Sequence, residues 1–78
     1  MIEYGEVWTD NENKIMFVWT GFDGNEYAKA YENSTIYQTL TNISREGWEC
    51  YNVLDYSGFF VYYVKNNVPP LMANTGPK

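Results

Sequence analysis

The stretch Ile43-Ser44-Arg45-Glu46-Gly47-Trp48-Glu49 constrains this chain more than any other. It reads as the end of an amphipathic helix, a left-handed glycine, and a strand opened by a large ring. Only glycine enters the left-handed region without a Cβ penalty, so Gly47 is expected to stop the helix. Upstream, Ile36, Leu40 and Ile43, with Tyr37 beside them, fall on one stripe of a helix of about three to four turns. Gln38, Thr39, Thr41, Asn42 and Arg45 are expected on the opposite face. Three threonines, Thr35, Thr39 and Thr41, make this segment intrinsically weak, so packing must hold it. Asn33 or Ser34 is expected to cap its start, accepting from the free amides of the first turn.

Strand patterns flank the helix. Ile2 to Trp8 favours a strand through Tyr4, Val7 and Trp8. After the polar turn Asp10-Asn11-Glu12-Asn13, Lys14 to Thr20 is expected as a nearly continuous apolar strand whose two faces both want cover, or of which one face awaits another subunit. Gly21-Phe22-Asp23-Gly24-Asn25 is a hairpin turn, because Asp-Gly suits the positive φ angles such turns require. Glu26 to Glu32 alternates Tyr27, Lys29 and Tyr31 against Ala28 and Ala30, a period of two that suggests a third strand, with helix the minor alternative because of the alanines. Trp48 to Leu54 and Phe59 to Lys65 are two more, joined by Asp55-Tyr56-Ser57-Gly58. The last strand has rings on both faces, which places it inside the sheet or under another chain.

The expected fold is α+β: an antiparallel sheet of about five strands, in the order βββαββ, with one helix on one face. Residues 1–66 form a single domain in this reading. Residues 67–78, with Val68, Pro69-Pro70, Leu71 and Met72, form an extended or disordered tail. A chain of 78 residues holds one domain with a small core. Eight Tyr, four Phe and three Trp are more rings than such a core hides. Some are therefore expected on the surface, where aromatic side chains serve as interface anchors.

Charge narrows the partners. The net charge is −5, and the five cations Lys14, Lys29, Arg45, Lys65 and Lys78 are scattered. Duplex nucleic acid needs clustered cations, so it is not an expected partner. The ten acids are too dispersed for a mimic of DNA. No stretch approaches the roughly 20 apolar residues of a membrane span. Met1-Ile2-Glu3-Tyr4 lacks the basic and apolar regions of a secretion signal, so a cytoplasmic location is expected. The triplets Asn33-Ser34-Thr35 and Asn42-Ile43-Ser44 then read as chance glycosylation patterns. Cys50 is alone and has no flanking cation, so it reads as a packed, inert thiol.

Catalytic patterns are missing. With no histidine, imidazole-dependent hydrolysis is excluded. Gly21-Phe22-Asp23-Gly24 lacks the lysine of a phosphate loop, and Asp10 to Asn13 lacks the glycine and final glutamate of a calcium loop. Neither a cofactor nor a metal is expected, and the chain is read as a non-enzyme.

The Arg-Glu-Gly-Trp-Glu box, with the helix before it and the strands ending Val61-Tyr62-Tyr63-Val64-Lys65, resembles a family of very small bacterial and phage domains, the domain of unknown function 4177. The matching residues are Tyr4, Leu40, Asn42, Ile43, Glu46, Gly47, Trp48, Glu49, Val53 and Lys65. They cover about half the chain. The N-terminal meander is longer than the family's, and Ser44 stands where a glycine is frequent. The resemblance implies a fold and carries no activity.

Binding is the expected role, through Trp8, Trp19, Tyr27, Tyr31, Arg45, Trp48 and Tyr62, with Gly47, Ile36, Leu40 and Ile43 structural. Two readings stand. In the first, a homo-oligomeric protein, of the kind phages encode as inhibitors, meets a host protein through an aromatic sheet face. In the second, the rings stack a small signalling nucleotide and Arg45 meets its phosphate.

Overall fold

The structure is a computed structural model that describes residues 1–10 and 14–67. Its elements are β1 (Ile2–Thr9), β2 (Ile15–Thr20), β3 (Glu26–Tyr31), α1 (Ile36–Ser44), β4 (Trp48–Asp55) and β5 (Phe60–Asn67). The strands form one antiparallel sheet in the order β3-β2-β1-β5-β4. The expected α+β fold and βββαββ order are therefore what the chain adopts. β5 reaches Asn67, one residue beyond the boundary read from the sequence, and the expected tail otherwise lies outside the described residues.

Tight turns explain the meander. Asp23 accepts from the Asn25 amide at 2.9 Å, and Gly24 takes φ 81°. Between β4 and β5, Ser57 and Gly58 have φ of 48° and 122°, and Asp55 accepts from the Ser57 amide at 3.1 Å. Two successive positive φ angles match the right-handed twist of the paired strands.

β3 and β4 lie at opposite edges, so the connection through α1 must cross the sheet. It crosses the face that carries Val7, Ile15, Phe17 and Val64, which form the core with Ile43 of the helix and Trp48 of β4. Phe17 is the hub: its ring stacks 4.6 Å from Trp19 and meets Trp48 edge-on at 5.0 Å. Gly5 faces the same side. A Cβ there would lie 2.8 Å from the Val18 carbonyl and 2.9 Å from the Trp19 Cβ, so the close approach of β1 and β2 requires glycine.

The helix departs from expectation in three ways. It has 9 residues, about two and a half turns at 3.6 residues per turn. Thr35, not Asn33 or Ser34, caps it. The Thr35 hydroxyl accepts from the Gln38 amide at 3.1 Å, and the Gln38 side chain accepts from the Thr35 amide at 2.9 Å. Asn33 instead turns the chain with φ 59°. Finally, Thr39 is fully buried rather than solvent-facing, because its hydroxyl donates to the Thr35 carbonyl at 3.0 Å and needs no water. At the other end Gly47 adopts φ 97°, as the sequence required.

Candidate functional site

The face of the sheet away from α1 is where the exposed rings gather. Registers place Tyr4, Glu6 and Trp8 of β1 on that face, with Val61, Tyr63 and Lys65 of β5 beside them. Period two puts Tyr4 and Trp8 on one side of the strand. The irregularity of β4 decides the rest. Its register shifts between Cys50 and Asn52, leaving Tyr51 as the extra residue of a bulge. Past the bulge the alternation reverses. Val53 joins Tyr62 on the helix side, and Leu54 lies opposite Val61 on the open side.

These rings form an arc. Trp8 stacks on Phe59 at 5.3 Å, and Phe59 stacks on Tyr56 at 5.2 Å. The Tyr56 and Tyr63 hydroxyls share a hydrogen bond of 3.0 Å. Tyr63 lies 6.5 Å from Tyr51, which meets Tyr4 edge-on at 6.5 Å. Val61, on this face and opposite Trp8, is fully buried although it is no part of the helix-side core. Tyr4, Tyr51, Tyr56 and Trp8 nevertheless remain 40–56% exposed. The exposed ring surface on this face is contiguous, each ring touching the next along the arc.

A trough of about 700 Å³ opens beside the arc, lined by residues of all five strands. Tyr4, Tyr51 and Tyr63 line one side, with Glu6 and Glu26 the carboxylates and Gly5, Val18 and Ala28 small enough to leave the hollow. Trp8 Nε1 donates to Glu6 Oε1 at 2.9 Å and orients that carboxylate. The hydrogen bond to Tyr56, then loss of water, then the charge of Glu6 among its neighbours push the Tyr63 hydroxyl up to about 12. Tyr63 therefore presents a neutral ring at physiological pH.

Most of the ring residues expected to bind sit elsewhere. Trp48 is buried in the core, and Trp19, Tyr31 and Tyr62 pack against that core from the helix side. Tyr27 stacks on Trp19 at 5.3 Å, and its hydroxyl bonds the Asp23 carboxylate. Only Trp8 of the expected set lies on the open face. Trp19 and Tyr27 border the trough, with their rings directed to the other side of the sheet. Arg45, exposed at the C-terminal end of α1, belongs to the helix side and does not line the trough. Ile36, Leu40, Ile43 and Gly47 take the structural places expected of them. Cys50 is exposed, contrary to the packed thiol expected, because β4 is an edge strand and the helix covers it only partly.

No family model, curated protein or solved structure matches this chain. Its site must be read from its own geometry. Tyr4, Glu6, Tyr51, Tyr56, Phe59 and Tyr63 are the residues that sequence reasoning missed. The period of β1 already puts Tyr4, Glu6 and Trp8 on one face. Tyr51 and Tyr63 become neighbours only through the pairing of β4 with β5.

Among the described residues, no helix is long and apolar enough to cross a membrane. No group of three or more His, Cys, Asp and Glu there is placed to hold a metal ion.

Proposed function

We propose that this chain is a binding protein that docks the open face of its sheet onto a protein partner, as a phage-encoded inhibitor docks onto a host protein. The observation that carries the reading is the arc from Trp8 through Tyr63 to Tyr4, exposed on a face that no described element covers. Rings held by one another lose little side-chain entropy on binding, which suits them as anchors. The nucleotide reading has less support. It needs Arg45 beside stacking rings, and Arg45 stands on the other side of the sheet from Tyr4, Tyr51 and Tyr63.

Photocrosslinking from single positions tests the reading. A benzophenone amino acid replaces Tyr51 in one variant and Tyr37, 79% exposed on the helix, in another. The expected result is one identified protein adduct from position 51 and none from position 37. Equal labelling from both positions overturns the docking face. An adduct of two copies of this chain replaces the foreign partner with self-association.

A further inference from the structure

The trough also specifies the chemistry of what enters it. Tyr4, Tyr51 and Tyr63 and the carboxylates Glu6 and Glu26 line it, with Trp19 and Tyr27 at its border, and no lysine or arginine does. We infer that the partner's contact element is a basic segment, whose lysine or arginine side chain enters between Tyr4, Tyr51 and Tyr63 and meets Glu6 and Glu26. This inference rests on the docking reading above.

Each component favours a cation. The faces of aromatic rings carry negative potential and attract ammonium or guanidinium groups. Tyr51 already does so within the chain, where the Lys65 ammonium lies 5.8 Å from its ring centroid. Lys65 is cross-strand from Tyr4 on the same face, yet it stands outside the trough lining. Glu6 is half-buried, and the Trp8 indole engages one of its oxygens, so the carboxylate is held in place before any partner arrives. A pre-set carboxylate gives a charge-assisted bond without a large ordering cost. Tyr63 stays neutral and adds no charge of its own.

An anion meets the opposite conditions. A phosphate or acidic side chain in the trough would face Glu6 and Glu26 without a compensating cation from its lining. Desolvating like charges against each other is costly. The net charge of −5 extends the preference to long range, since it steers basic partners toward the chain and acidic ones away. The trough volume of about 700 Å³ exceeds one side chain, and the hollow is continuous with the ring arc through Tyr51 and Tyr63. That continuity favours a polypeptide segment over a small free amine.

The test uses the full chain, labelled with nitrogen-15 and titrated with a hexa-arginine peptide, a hexaglutamate peptide and spermine. Hexa-arginine is expected to shift the amides of Gly5, Glu6, Val18, Ala28 and Tyr63 saturably, and hexaglutamate to shift none. The E6Q/E26Q double variant is expected to weaken hexa-arginine binding about tenfold, the effect of losing about two charge-assisted contacts. Removing two acids outside the trough, in E32Q/E46Q, should change it less than about twofold, a screened surface effect. E26Q alone, altering an exposed residue, serves if the double variant does not fold. Equal weakening in the two double variants overturns the inference, because net charge alone would then explain binding. Saturable spermine binding without peptide binding overturns the polypeptide assignment. If position 51 crosslinks a partner equally well with and without E6Q/E26Q, the basic-segment inference falls and the docking reading stands. If position 51 crosslinks nothing, the docking reading itself falls.

Discussion

Asn66 locks the turn that Gly47 makes. Its side-chain amide donates to the Glu46 carbonyl at 3.0 Å, and its Oδ1 lies 2.7 Å from where a Cβ on Gly47 would stand. Asn66 is also the cross-strand partner of Trp48, so one residue of β5 ties the helix exit to the start of β4.

The Gly47→Ala variant is therefore expected to lose about 1–2 kcal/mol, from the left-handed backbone and the contact with Asn66 together. Thermal unfolding should move down by roughly 4–8 °C for each kcal/mol in a domain this small. In an Asn66→Ala background the contact is gone and only the backbone cost remains. The two substitutions should then be measurably less than additive in a double-mutant cycle.

Gly5→Ala is expected to be as damaging or worse, at about 1–3 kcal/mol, the usual cost of overpacking a core. Its added methyl would meet the Val18 carbonyl at 2.8 Å and the Phe17 ring at 3.0 Å, and the first of these is backbone that cannot swing away. Denaturant midpoints report this directly. Gly24→Ala is the contrast, since nothing lies within 4 Å there and only its φ of 81° opposes the change.

Thr35→Ala should cost about 1 kcal/mol, the usual loss for removing a helix N-cap. Ser34→Ala, one residue earlier, should stay within about 0.5 kcal/mol, as a surface substitution does. Equilibrium unfolding of the pair distinguishes the observed cap from the neighbouring residue that composition alone suggested.

Alkaline titration reads the Tyr56–Tyr63 bond. Tyr63 is raised from 10.0 to about 12, first by its hydrogen bond to Tyr56. A folded value above the unfolded one means that the neutral hydroxyl's contribution to stability is fully present below about pH 10 and is lost as pH rises toward about 12. Tyrosinate absorbance should show late ionisation of several groups in the native protein, because Tyr27 and Tyr62 are also raised, and Tyr63 is the group that the Tyr56 bond holds up. Tyr56→Phe should bring that group to lower pH while leaving circular dichroism at neutral pH unchanged.

Much of the fold was legible because its signals are local. The Asp23-Gly24 and Ser57-Gly58 turns follow from glycines that enter positive φ without a Cβ penalty, here φ 81° and 122°. The Ile36-Leu40-Ile43 stripe follows from helical period. The helix start was less legible, since Asn33, Ser34 and Thr35 are all competent caps. Gln38 at the third helical position decides among them, by completing the capping box with Thr35. The candidate site was least legible. Trp19, Tyr27, Tyr31 and Tyr62 are as aromatic as Tyr4, Tyr51 and Tyr63, and composition does not say which set faces the helix.

The sequence by itself determined the element order, the helix stop at Gly47 and the surplus of rings over core, because turns, caps and periodicity are properties of neighbouring residues. Only the tertiary structure decided which face stays open. That choice depends on strand register, on the bulge at Tyr51 that reverses alternation in β4, and on the face that α1 crosses between the two edge strands. Each of these is an agreement between residues far apart in the chain, where a shift of one position exchanges core for surface.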